Sequence, residues 1–284
     1  MPESPEVQEL ASFLTGRTTG RAIRSADVIL AKALKTQHPS PSELIGRRIT
    51  GVTRLGKMID IATTDDGGGS LHVVVHFGHD GWVLWHDEAP DDLRRAGDAT
   101  LMARIRLDDG SGFDLTDAGQ WKAVTVHIVP DPADVHAVAK LGLDPMGPDF
   151  DSARFARILA GRRKQIKALL QDQSALAGIG NAYSDEILHA ARISPLTHAA
   201  GLSEAEVERL AQQTRAILTD AAAARRGIAP SELRAAKHAA LQVHRKTGAV
   251  CPVCGDTIRE LSFSGAAAQY CPTCQTGGVP LPRS

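Results

Sequence analysis

The chain has 284 residues, a formal net charge of −1, 43% hydrophobic and 23% charged residues. That balance belongs to a folded globular protein with a sizeable core, and the length suits two domains or one domain plus a small appendage. With no apolar run of about eighteen residues, a membrane-spanning helix is excluded. The acidic start MPESPEVQEL lacks the basic and apolar regions of a signal peptide, so a cytoplasmic location is expected.

Along the chain, Val7, Leu10, Ala11 and Leu14 stand at helical spacing, with Gly16 as the expected stop. Eight short alternating runs follow, at 22–30, 47–56, 57–63, 70–78, 81–86, 101–108, 111–117 and 122–129. Glycine- and aspartate-rich breaks separate them, which predicts an antiparallel β-sandwich or flattened barrel. Residues 141–150 (LGLDPMGPDF) carry two prolines and few charges and read as a linker. The texture then turns helical, over 151–163, 163–178, 184–193 and 203–226. Ser203 and Glu206 form a capping-box pattern, and AGIGNAY (177–183) makes a tight glycine-built turn between helices. The expected division is a β-sandwich domain over 1–140, a linker over 141–150, a helical domain over 151–244 and a cysteine-bearing module over 245–284. The fold class is α+β, multidomain.

Charge is unevenly spread. Residues 1–150 carry 15 Lys+Arg against 22 Asp+Glu, a net of −7, while residues 151–284 carry 17 against 11, a net of +6. A basic half is the footprint expected for phosphate contact, although two domains can also differ in charge for no functional reason.

All four cysteines fall in the last module, as Cys251-Pro-Val-Cys254 and Cys271-Pro-Thr-Cys274. Each C-x-x-C forms a knuckle that presents two thiolates to one tetrahedral ion, and a hairpin between the knuckles brings them together. One structural Zn2+ is expected. Four thiolates leave no open coordination position for catalysis.

At the N-terminus, Pro2 follows the initiator methionine. Once Met1 is removed, Pro2 presents a secondary amine whose ordinary pKa lies near 8, low enough to leave a useful neutral fraction at pH 7. Such an amine attacks an aldehyde-like carbon to give an iminium, and Glu3 beside it can act as general acid and base.

In combination these motifs resemble the family of formamidopyrimidine-DNA glycosylases and endonuclease VIII. The match runs through Pro2-Glu3-Ser4-Pro5-Glu6, Leu55-Gly56-Lys57, Gly178-Ile179-Gly180-Asn181-Ala182-Tyr183 and the four cysteines, in family order. The resemblance implies an N-terminal antiparallel β-sandwich with an N-terminal helix, a helix–two-turn–helix domain and a zinc-ribbon hairpin. It implies a bifunctional repair enzyme that flips a damaged nucleotide out of the duplex, releases the base through an iminium at C1′ and nicks the strand. Carried over residue by residue, Pro2 is the nucleophile and Glu3 the acid/base. Glu6 is a supporting carboxylate, and Lys57 is a lysine at the lesion phosphate. Asn181 contacts phosphate from the helix turn. Nearby Arg162, Arg163, Lys164 and Lys167 are expected to face the DNA backbone. The implied partner is damaged double-stranded DNA; a monomer is expected because no apolar heptad or other association seam stands out, and no membrane association is expected.

Three departures from the family pattern concern how DNA is read. The ribbon hairpin lacks the family's arginine, and Ala266 stands closest to its place. Among the wedge residues, His79 replaces a methionine, Trp121 a phenylalanine, and Gly119 or Gln120 an arginine. Trp121 keeps a flat ring able to stack between bases. The segment 224–230 stands where a lesion-capping loop is expected but lacks its pattern. These departures raise an alternative: a catalytically silent or abasic-site-only damaged-DNA-binding protein of the same fold. A zinc-ribbon transcription or RNA-binding protein explains the cysteines but neither residues 2–6 nor 178–183.

Overall fold

The structure is a computed structural model that describes residues 1–92, 101–263 and 265–282. The chain divides into two compact units. One comprises 1–140 together with 225–235, the other 141–224 together with 236–284.

In the first unit, helix α1 (Ser4–Thr18) opens the chain. It runs through Gly16, the expected stop, and ends at Thr19 ahead of Gly20, whose φ is +85°. Its Val7, Leu10, Ala11 and Leu14 are fully buried, which offsets the cost of one helical glycine. The eight predicted strands form as β1 (Ile23–Val28), β2 (Arg48–Leu55), β3 (Met58–Thr64), β4 (Ser70–His76), β5 (Gly81–His86), β6 (Leu101–Leu107), β7 (Gly112–Asp117) and β8 (Thr125–Val129). They make two four-stranded sheets, ordered β1-β6-β7-β5 and β2-β3-β4-β8, with every pairing antiparallel. One hydrophobic core takes residues from both sheets and from α1, so the sheets pack as a sandwich with the helix set into it.

The sandwich also holds a buried ion pair. Arg104 on β6 is 2% exposed and grips Asp114 on β7 through both carboxylate oxygens, at 2.6 and 2.8 Å. Asp114 also accepts from His86 Nε2 at 2.9 Å. Removing one partner strands the other charge inside the protein. Arg104→Met is therefore expected to destabilise the first unit by about 3–5 kcal/mol. The measurement is its urea unfolding transition, and a loss below about 1 kcal/mol would show that water already reaches the pair.

Helix α2 (His136–Ala139) closes this stretch of chain. The second unit is helical, with α3 (Ser152–Leu159), α4 (Ile166–Leu170), α5 (Asn181–Ala191) and α6 (Glu204–Ala223). The helix expected over 163–178 shrinks to the five residues of α4. Asp172 accepts from Ser174 N–H and Gln173 donates to Ile179 O, so local side chains build turns where a continuous helix was anticipated. Phe155, Leu159, Ile166, Leu169, Leu176, Ile187, Leu210 and Leu218 form the core of this unit. A further helix, α7 (Pro230–Ala240), was not anticipated from the sequence. The ribbon hairpin pairs β9 (Arg259–Phe263) with β10 (Ala266–Tyr270), and a short α8 (Pro272–Thr276) carries the last cysteine. No described helix is long and apolar enough to cross a membrane.

Candidate active site

In the first unit, Pro2, Glu3 and Glu6 come together at the start of α1, and all three are buried. Glu3 is the N-cap residue, in extended backbone with φ −120° and ψ −178°. Glu6, 0% exposed, reaches back so that its Oε2 accepts the Glu3 N–H at 3.0 Å, a capping-box arrangement. The Glu6 carboxylate thereby fixes the backbone of the residue that follows the candidate nucleophile. Pro2 nitrogen is an amide while Met1 is attached, so its chemistry requires a chain that starts at Pro2.

Arg225 adds a cation to this cluster. Its Nε lies 3.8 Å from Glu6 Oε1, and its side chain is 4% exposed. Nothing in the sequence marks this contact, because Arg225 falls where the helix expected over 203–226 runs into the segment 224–230, and neither reading directs it at Glu6. The whole segment 225–235 joins the first unit. Ile228 and Leu233 pack against the sandwich core, and Trp82 Nε1 donates to Pro230 O at 2.7 Å. Arg234 lies over the Trp82 ring at 4.6 Å and donates to Asp80 O at 2.7 Å. Burial raises the Glu9 carboxyl, opposed by the Gly227 backbone and the Arg226 charge.

Lys57 follows Gly56 in the tight turn between β2 and β3, where Gly56 has φ +58°, and it is 9% exposed. Neighbouring His76 is driven below its ordinary pKa, first by burial and then by the charges of Lys57, His79 and His127. Its Nδ1 accepts from Gly78 N–H at 3.1 Å, as a neutral ring can.

His79 and Trp121 lie on two loops that meet. A Cβ on Gly78 would come within 2.7 Å of Ala123 Cβ, and one on Gly119 within 2.8 Å of Asp80 Oδ2. The close approach explains both glycines. Asp117 braces the second loop by accepting from Gly119 N–H at 2.8 Å and Val124 N–H at 3.0 Å. Trp121 is 79% exposed, an unusual position for an indole, and His79 is also exposed.

In the second unit, Gly178 adopts φ +91° and Gly180 caps α5, which begins at Asn181. Both ends of the Asn181 amide are engaged. Its Nδ2 donates to Ala267 O at 3.0 Å and its Oδ1 accepts from Gln171 Nε2 at 3.1 Å, tying the helix turn to the ribbon hairpin. Arg162 is exposed. Lys164 is exposed and paired with Asp172 at 2.8 Å, and with the Ser174 hydroxyl it holds the Asp172 carboxyl down to about 2. Lys167 corrects an expectation. It does not join an outward basic face but is fully buried, 2.5 Å from Asp185. From α4 it points at α5, where it also donates to the Ser184 hydroxyl, while His244, from beyond α7, meets the other Asp185 oxygen. Ala266 lies in β10, opposite Phe263, while Ser264 falls outside the described residues.

The four cysteines converge. Cys251 and Cys274 sulfurs stand 3.9 Å apart and those of Cys254 and Cys271 3.3 Å apart. A tetrahedral Zn2+ with bonds near 2.3 Å has S···S edges of about 3.8 Å, so the donor set fits the ion. The small cluster of Val243, Cys251, Ile258 and Cys271 packs beside it, and Leu261, Ala268 and Tyr270 form a second cluster on the hairpin. His189 Nε2 lies 3.3 Å from Cys251 Sγ, a contact the cysteine spacing alone could not reveal.

Comparison with known proteins follows this geometry closely. Residues 1–123 match the formamidopyrimidine-DNA glycosylase N-terminal domain, 141–231 its H2TH domain, and 248–277 the zinc finger found in FPG and IleRS. An uncharacterized formamidopyrimidine-DNA glycosylase-like protein of Mycobacterium tuberculosis is 48% identical over 49% of this chain and 88% of its own length. The formamidopyrimidine-DNA glycosylase of Symbiobacterium thermophilum is 33% identical over 97% of this chain and 89% of its own. The Lactococcus lactis Fpg in complex with DNA containing an abasic site superposes with a TM-score of 0.84 at 26% identity, covering 96% of this chain and 99% of that one. With matches in all three modules and in order along the whole length, the chain belongs to the formamidopyrimidine-DNA glycosylase family.

Proposed function

We propose that the protein is a bifunctional DNA glycosylase and abasic-site lyase of base excision repair, acting through Pro2. The observation that carries this reading is the buried group of Pro2, Glu3 and Glu6 at the start of α1. Pro2 directly precedes Glu3, whose backbone the Glu6 carboxylate holds, within a protein whose relatives bear the glycosylase name over nearly its full length. The silent-binder alternative is not favoured by those relatives.

The chemistry follows from the residues. The Pro2 imino nitrogen attacks C1′ of an extruded nucleotide, and the C1′–base bond breaks with its electron pair leaving on the base, which takes up the proton that the Pro2 nitrogen sheds. Glu3 supplies a proton as the sugar ring opens, leaving an iminium between Pro2 nitrogen and C1′. Loss of a C2′ proton then expels the 3′ phosphate oxygen, and water frees the enzyme. Lys57 supports the lesion phosphate, and Asn181, Arg162 and Lys164 contact the backbone. Trp121 and His79 fill the space that the extruded base leaves. Damaged duplex DNA is the substrate, and the enzyme works as a monomer in the cytoplasm.

The test is a panel of duplexes, each with one lesion or one abasic site, treated with borohydride. A covalent protein–DNA species on at least one duplex is expected. Binding to abasic DNA with neither trapping nor scission on any duplex would overturn the reading.

A further inference from the structure

The ribbon has more metal donors than a tetrahedral ion can use. His189, on the last turn of α5, is 5% exposed. Its ring forms with Cys251, Cys271 and Cys274 a set of four ligand atoms within 4.8 Å of one another. Cys251 and Cys271 are buried and Cys274 is half-buried, whereas Cys254 is exposed. An imidazole nitrogen and a thiolate on one tetrahedral zinc stand about 3.6 Å apart, given bonds near 2.05 and 2.3 Å. The 3.3 Å from His189 Nε2 to Cys251 Sγ is close to that edge. It also suits an N–H···S hydrogen bond.

We propose that His189 is a reserve zinc ligand and that Cys254 is the exchangeable one. With all four thiolates bound, His189 Nε2 donates to the Cys251 thiolate and steadies it. When the Cys254 thiolate is lost, the imidazole takes its position and the ion stays. The ring proton moves from Nε2 to Nδ1 in the exchange, so the imidazole remains neutral. One thiolate fewer makes the site less negative by one charge. The inner three cysteines and His189 then form a closed set, with the exposed knuckle thiolate dispensable. The exchange also draws the end of α5 toward the ion. Asn181 begins that same helix, so the metal is linked directly to the helix that carries the candidate phosphate contact.

The test uses the full-length zinc protein and its variants Cys254→Ala, His189→Leu and the double variant. Cys254→Ala is expected to keep one zinc per chain, with the double variant at least about 100-fold weaker in chelator competition. Because His189 is buried, its removal could disturb folding, so a second measurement leaves it in place. In cadmium-substituted Cys254→Ala with isotope-labelled histidine nitrogens, NMR should show coupling from the metal to one histidine, absent in the wild type. Zinc lost outright from Cys254→Ala, or retention of zinc there without metal–histidine coupling, would overturn the proposal.

Discussion

Replacing Pro2 with glycine is expected to lower the single-turnover rate of base release and of borohydride trapping by roughly a thousandfold, about 4 kcal/mol of barrier. The substitution exchanges a secondary for a primary amine and frees the backbone just before α1. A constrained imino nitrogen forms its iminium without a proton left on nitrogen, and its ring holds the lone pair on a fixed line. The loss should lie in the chemical step. Affinity for an abasic duplex should change little, because neither the wedge loops nor the Asn181 turn is touched. A variant retaining Met1 should be still less active, since Pro2 nitrogen is then an amide with no available lone pair. Mass spectrometry of the active preparation checks this directly. Full scission by protein that still carries Met1 would remove Pro2 from the mechanism.

The second large effect concerns the ribbon. Cys271→Ser, or removal of zinc with a chelator, is expected to unfold β9 and β10 while the sandwich stays folded. Structural zinc contributes about 10–16 kcal/mol to small peptide modules at neutral pH, far more than the two small apolar clusters of the ribbon can supply. Cys271 is fully buried, so its replacement also leaves a hydroxyl without water. The damage should spread from the ribbon through the rest of the second unit along three contacts. Asn181 loses its acceptor on Ala267, Gln275 its hold on Ile193 O, and His189 its sulfur. Hydrogen exchange should show the β9–β10 amides and the first turn of α5 opening together, with DNA affinity falling at least tenfold. Protection of those amides in zinc-free protein would mean that the hairpin holds itself.

Much of this was legible in the residues, and for identifiable reasons. The eight strands are readable because each is a short apolar-rich run bounded by glycine- and aspartate-rich turns, and their inner faces pack on a shared core. The metal module is readable because C-x-x-C spacing is set by coordination geometry, independently of the rest of the fold. The chain start and the Gly178–Tyr183 turn are readable because their backbone demands are local. What stayed hidden depends on distant partners. Gly16 continues α1 because tertiary burial outweighs its weak propensity. Lys167 looks like one more surface cation until Asp185, on another helix, is placed against it. Arg225 and His189 meet their partners only after folding, and no period or motif marks either. Helix α7 begins at Pro230, inside the segment set aside for a lesion-capping loop, and its first turn is held by Trp82 and the sandwich core, both distant in sequence.

The excursion of residues 225–235 has a consequence for dissection. Leu233 is wholly enclosed by side chains contributed from the beginning of the polypeptide. A fragment truncated after residue 140 would therefore lack a piece of its own interior and expose an apolar scar. Chimaeras that exchange the front part between relatives must carry both stretches together, and a truncated gene should yield aggregate where the paired stretches yield a folded product.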